Sequence, residues 1–247
     1  MGRRSRKQGQ VKRLGLLARK KWWLITGGVT GLLIVGIVAY ALASVPLPAA
    51  APGAQSTKIL AVDGQVIARL HGDEDRTIVP LDAISMNLRN AVIATEDRKF
   101  YSHPGVSLKG ILRAAFSNTV GGGVEQGGST LTQQYVRNAF VQVGKERTII
   151  RKIKEAIVAV KIERKYSKDK ILEFYLNTVY FGRGAYGAEA AAKTYFDRSA
   201  KELDLGQAAY LAGVIRSPQR FQKERDPKAA VAIRDEVLKD MVAADFI

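Results

Sequence analysis

The sequence predicts a mostly α-helical domain that opens on a small β-hairpin and follows one transmembrane helix. Three features carry that prediction. Leu24 to Val45 runs 22 residues without a charge. Two β-type runs flank Asp63-Gly64 within Thr57–Leu70. From Leu81 almost to the end, apolar residues recur at helical spacing.

Residues 1–21 hold nine basic side chains and no acid, and read as a basic cytoplasmic tail. Residues 22–45 follow as the transmembrane helix. As a helix the uncharged run spans roughly 33 Å, enough for a hydrocarbon core of about 30 Å. Trp22-Trp23 fits the interfacial belt, and the basic flank keeps the N-terminus inside. The expected location is therefore the cell membrane, single-pass, with the domain that follows the span extracytoplasmic. A cleavable signal peptide competes, since Ala41-Leu42-Ala43 has the form of a cleavage site. The apolar run is longer than the usual h-region of about 7–15 residues, which favours an uncleaved anchor. Beside a span, anionic membrane lipids suit the basic tail better than nucleic acid does, and no nucleic-acid partner is expected.

Residues 46–56 (PLPAAAPGAQS) form an uncharged Ala/Pro linker, and 57–247 form the domain. Asp63-Gly64 favours a tight hairpin turn. Candidate helices are Leu81–Thr95, Leu108–Asn118, Thr130–Asn138, Thr148–Lys165, Lys168–Val179, Ala185–Tyr195, Leu205–Ile215 and Pro227–Ala244. Ser129 and Ser167 are placed as N-caps, and Asp226-Pro227 opens the last helix with a cap and a first-turn proline.

Composition excludes several chemistries. With no cysteine there is no disulfide, thiolate metal site or Cys nucleophile, and His71 and His103 are too few for a His-rich metal centre. The net charge is +16, of which the domain and linker keep +7 once the tail is set aside. Residues 137–170 alone carry eleven bases against four acids, which equals that excess. Such a stretch suits a phosphate-bearing partner, although charge alone also fits an ordinary solvated face. The glycine-rich loop Val120–Ser129 (VGGGVEQGGS) leads into a helix. It reads either as a phosphate cradle or as a flexible connector. It is neither a P-loop nor a dinucleotide fingerprint.

The decisive strings come in series. They are Ala94–Gly105 (ATEDRKFYSHPG), Gly110–Asn118 (GILRAAFSN), Gly127–Asn138 (GGSTLTQQYVRN), Arg151–Ala156 (RKIKEA), Lys168–Asn177 (KDKILEFYLN), Tyr180-Phe181-Gly182 and Ala208–Gly213 (AAYLAG). In this order and spacing they resemble the peptidoglycan glycosyltransferases of family 51, over roughly residues 75–245. That family comprises monofunctional enzymes and the N-terminal halves of class A penicillin-binding proteins. The resemblance implies a lysozyme-like fold with a membrane-touching jaw. It implies polymerisation of lipid II onto a lipid-linked glycan chain, with inversion at the anomeric carbon and release of undecaprenyl diphosphate. It also implies sensitivity to moenomycin and leaves room for partners in the cell-wall machinery.

The resemblance assigns roles residue by residue. Glu96 takes the place of the general base for the acceptor hydroxyl, and Glu155 that of the second essential carboxylate. Asp97, Arg98, Phe100 and His103 belong to the first motif and build the substrate site. Gly128, Ser129, Thr130, Gln133, Gln134, Arg137 and Asn138 belong to the donor-binding motif, and Arg113, Arg151 and Lys152 supply cations for the leaving diphosphate. Arg137 stands where the family commonly has Lys. Glu173, Tyr175 and Asn177 match a fourth motif, with structural roles expected. Gln207 stands near a usual Glu. Nothing in the sequence is a metal signature, while the family leaves Mg2+ or Mn2+ open as a cofactor.

Class A proteins carry a second domain with Ser-x-x-Lys and Lys-Thr-Gly motifs. Here Ser167–Lys170 (SKDK) lies inside a glycosyltransferase motif and no Lys-Thr-Gly occurs, so this chain is expected to lack the transpeptidase. The linker and tail point to a longer parent protein. The competing function is a membrane-anchored lysozyme-like hydrolase with Glu96 as general acid.

Overall fold

A computed structural model describes residues 57–60, 62, 66–70, 75–106, 128–139, 149–218 and 227–247, together with positions 28, 36, 40 and 44. The chain divides into two units, Met1–Pro46 and Leu47–Ile247. In the first, Gly28, Gly36, Tyr40 and Ser44 are helical. The rest of the predicted span 22–45, the basic tail and the linker 46–56 lie outside the described residues. Among the described residues no helix is long and apolar enough to cross a membrane.

The second unit is mostly helical, as predicted. Strands β1 (Thr57–Leu60) and β2 (Val66–Leu70) pair antiparallel with Thr57 opposite Leu70, and a bulge falls between Ile59 and Leu60. The hairpin is therefore where the Asp-Gly pattern puts it. Two-residue strands β3 (Asp75–Arg76) and β4 (Ala185–Tyr186) pair in parallel. The described helices are α1 (Met86–Glu96), α2 (Leu131–Ala139), α3 (Ile149–Lys165), α4 (Lys168–Leu176), α5 (Ala188–Phe196), α6 (Leu205–Arg216) and α7 (Pro227–Val242).

Two expected helices start late for tertiary reasons. Leu81–Ala83 is a 3-10 turn, and the α-helix begins only at Met86. Between them Ser85 is extended, its N–H bonded to Ala200 O at 2.9 Å and its hydroxyl to Leu203 O at 3.0 Å. These buried long-range bonds outcompete one more helical turn. Likewise Ala185–Tyr186 is strand, tied to β3 and to Phe181 N–H by Ala185 O, so α5 begins at Ala188. The expected helix Leu108–Asn118 lies outside the described residues.

The helices form two groups. In one, α1, α6 and α7 pack against each other. Gly213 of α6 lets α7 approach: a Cβ there would stand 2.5 Å from Ile233 Cγ1. In the other group α2, α3 and α4 pack together. Capping is local and legible. Ser167 caps α4, and Asp204 with Gln207 forms a reciprocal capping box on α6. Gln207 fills that box as a Glu would, so the departure there is structurally neutral. Glu173 and Asn177 are structural as expected: Glu173 accepts from Leu81 N–H, and Asn177 exchanges two bonds with Val79.

Candidate active site

Glu96 is the last residue of α1, and Asp97 is the turn that ends it. The Glu96 side chain is 13% exposed. Its Oε2 accepts from Gln134 Nε2 at 2.8 Å, and Gln134 Oε1 accepts in turn from Tyr175 OH at 3.2 Å. Arg216 Nε lies 3.8 Å from Oε1, which has no hydrogen-bond donor among the described residues. Gln134 belongs to α2 and Tyr175 to α4, so Glu96 is where the two helical groups meet. Burial pushes the Tyr175 phenol well above its ordinary value, the Glu96 charge pushes it further, and the Arg137 charge opposes. Tyr175, expected to be structural, is fully buried and reaches Glu96 through Gln134.

Asp97 faces the other way along the same motif. Its Oδ2 accepts from Leu131 N–H at 3.0 Å, the first amide of α2, where a carboxylate suits the positive helix end. His103 Nε2 lies 2.8 Å from the same oxygen, while His103 Nδ1 accepts from Gly105 N–H at 3.0 Å. With Nδ1 accepting, the proton belongs on Nε2, facing the carboxylate. Gly105 has φ 83°, and a Cβ there would sit 2.4 Å from Glu163 Cγ. Only glycine fits this turn, because Glu163 is itself held by Lys168 at 2.8 Å.

The start of α2 corrects the sequence reading. The cap is Thr130, not Ser129: Gln133 N–H donates to Thr130 Oγ1, and Thr130 N–H donates to Gln133 Oε1. Thr130 and Gln133 are buried and occupied by this box, and the Thr130 hydroxyl also donates to Gly105 O at 2.7 Å. They shape the donor motif rather than line it. Ser129 is released to accept from Lys152 Nζ at 2.6 Å. Gly128 is exposed with open space around it, and Asn138 is exposed in the last turn of α2.

Lys152 links this helix start to the second carboxylate. Glu155 is 1% exposed, with Lys152 Nζ 3.5 Å from one oxygen and an Arg151 nitrogen 3.7 Å from the other. Ser129 stands just before the Thr130 cap and Gln134 in the first turn of α2. This short helix and the residue before its cap therefore carry both the Glu96 contact and the route to the basic face. Arg137 follows Gln134 by three residues and makes no ion pair with any described residue. A divalent ion wants several oxygen ligands. Glu155 is instead a single carboxylate flanked by two cations, and no group of three or more His, Cys, Asp or Glu among the described residues could hold a metal. These residues do not fit a resident Mg2+ or Mn2+.

Two first-motif residues have other duties. Phe100 is fully buried, beneath Lys168 at 4.6 Å, and supports the turn from inside. Arg98 turns away to Asp240 on α7 at 2.6 Å. Arg113 and the loop 120–127 lie outside the described residues. Arg216 is a site residue that the sequence reading missed. It follows the AAYLAG string by three residues, and its basic type in the last turn of α6 was the available signal.

Comparison with known proteins gives the family. The transglycosylase family model matches residues 63–242. Penicillin-binding protein 1A of Mycolicibacterium smegmatis is 46% identical over 215 residues, covering 85% of this chain and 27% of that protein. Penicillin-binding protein 1A of Mycobacterium tuberculosis is 44% identical over 213 residues, covering 85% and 26%. A crystal structure of Penicillin-Binding Protein 1A from Haemophilus influenzae aligns with TM-score 0.42 and 24% identity, over 78% of this chain and 19% of that one, a likeness too loose to argue from. The chain spans about a quarter of the length of the two mycobacterial relatives. Its matched residues and their identity place the chain in the transglycosylase family, the glycosyltransferase domain of class A penicillin-binding proteins.

Proposed function

We propose that this chain polymerises lipid II into β-1,4-linked glycan strands, at the outer face of a membrane in which residues 22–45 anchor it. Glu96 is the general base. It takes the proton of the acceptor 4-hydroxyl as that oxygen attacks the donor's anomeric carbon, and undecaprenyl diphosphate leaves with its electron pair. A positioned base is worth about 10²–10⁴-fold. Arg137, Arg151 and Lys152 receive the developing diphosphate charge, as fixed cations do best in a desolvated site.

One observation carries this reading. Glu96 has one oxygen held by Gln134 and the other without a donor among the described residues. A buried acceptor left so costs about 1–3 kcal/mol, which a bound hydroxyl would recover. The hydrolase alternative gains nothing from the basic face, since it releases no diphosphate.

The test is incubation of the detergent-solubilised chain with labelled lipid II, with products separated on a gel. The expected result is elongation that Glu96→Gln abolishes while the variant stays folded. Shortening of finished glycan with no use of lipid II would overturn the reading.

A further inference from the structure

The C-terminal end of α1 is closed by an unusual device. The last carbonyls of a helix need partners from outside it. Here Ile93 O accepts from Asp97 N–H at 3.0 Å. Ala94 O accepts from Arg98 Nε at 3.1 Å, and Thr95 O accepts from Arg216 Nη2 at 3.0 Å. Two arginines, 118 positions apart in the sequence, therefore cap two consecutive carbonyls directly before Glu96.

One acid on α7 aims both arginines. Asp240 Oδ1 accepts from Arg98 Nη2 at 2.6 Å, and its Oδ2 accepts from Arg216 Nη2 at 3.1 Å. Glu236, one turn earlier on the same face, accepts from Arg216 Nη1 at 2.8 Å. With Nη1 and Nη2 so fixed, Nε is left facing Glu96 Oε1 at 3.8 Å. The planar fork of Arg suits this, since its three nitrogens meet four partners, Glu236, Thr95 O, Asp240 and Glu96, while one ammonium has three donors on a single atom.

The electrostatics give the device a purpose. A helix C-terminus carries partial negative charge, so a carboxylate on the last residue is repelled by its own helix. Two guanidinium groups over the final carbonyls offset that repulsion where Glu96 sits.

We propose that Arg216, aimed by Asp240 and Glu236, is a positioning residue for Glu96. It fixes the carboxylate at the end of α1 and ties that position to the packing of α7. The inference rests on Glu96 being the base.

Four variants of the full chain in detergent, with lipid II as substrate, test it. Arg216→Met is expected to lower kcat about 10²-fold, the scale of a misplacement near 1 Å, with KM and thermal midpoint nearly unchanged. Arg216→Lys should fall between wild type and Arg216→Met. Asp240→Asn, on the partly exposed face of α7, should lower kcat in the same way but less, and it stands in if Arg216→Met does not fold. Glu96→Gln is the control. Unchanged kcat in Arg216→Met and Asp240→Asn would overturn the proposal if Glu96→Gln is inactive. So would losses of kcat matched by losses of thermal stability or a parallel rise in KM, or a Lys variant no better than Met. A fully active Glu96→Gln would instead sink the base assignment, and the positioning role with it.

Discussion

Gln134 Nε2 stands 2.8 Å from Glu96 Oε2, and this bond joins the α1–α6–α7 group to the α2–α3–α4 group. It also fixes which way the amide points. With the NH2 on Glu96, the carbonyl must face Tyr175, whose hydroxyl donates to it at 3.2 Å. A fully buried phenol thus sets the orientation of an amide that sets the orientation of a carboxylate.

That chain of contacts orders a mutant series. Gln134→Ala removes the donor to Glu96 and leaves the Tyr175 hydroxyl unpaired. Its expected cost is about 1–3 kcal/mol in stability, with roughly tenfold or more lost from kcat. Tyr175→Phe keeps the ring in the core and removes only the amide's anchor, so its effect on kcat should be smaller than that of Gln134→Ala. Polymerisation rates for the two variants, beside their denaturant midpoints, check the order. Equal rates in both variants and wild type would remove Gln134 from the machinery.

How much of this was readable in advance follows from where the residues sit in the chain. Glu96, Asp97 and His103 fall within eight positions, so one motif exposed all three. Gln134 and Glu155 came with their own local strings. Arg216 and Asp240 are single residues whose meaning lies in the approach of α6 and α7 to α1, and no local pattern announces such a meeting. Phe100 looked like a substrate contact because it sits inside the motif, but its apolar ring was drawn into the core. The Ser129 cap missed by one residue, since Ser-Thr offers two good caps and only the Gln133 box chooses between them. Ala185–Tyr186 read as helix because its pairing partner lies more than a hundred residues away.

The tyrosines give a prediction about alkaline stability. Partial burial, then the Asp169 hydrogen bond at 2.8 Å, pushes Tyr101 up to about 12, although with 55% of it exposed water screens its share in stability. Burial does the same for Tyr135, helped by Tyr166, and for Tyr195, helped by Tyr210, each to about 12. An unfolded chain ionises its tyrosines near pH 10, so above that the unfolded state holds fewer protons. Stability from these groups is therefore whole below about pH 10 and is lost as pH rises from about 10 through about 12. Denaturant midpoints measured across that window should fall steeply. Tyr135→Phe should flatten the slope, and a midpoint that stays level would contradict the burial account.

Glu155 supplies the last prediction, because its place between Lys152 and Arg151 makes it a counter-charge and not a metal ligand. Removing one member of a buried pair costs about 3–5 kcal/mol when the survivor is left buried. Here the survivors reach water, Lys152 being 43% exposed, so Glu155→Gln should cost less, about 1–2 kcal/mol. Lys152 would keep its bond to Ser129 but lose the anion that holds its ammonium beside Arg151. The expected outcome is a lower kcat on lipid II, because two mutually repelling cations spread apart and no longer meet one diphosphate together. A chelator separates the two roles. As a counter-charge, Glu155 leaves the wild-type denaturant midpoint unchanged when divalent ions are stripped, while Glu155→Gln lowers it in any buffer. If chelation alone reproduced the Glu155→Gln loss of stability, the carboxylate would be holding a metal after all.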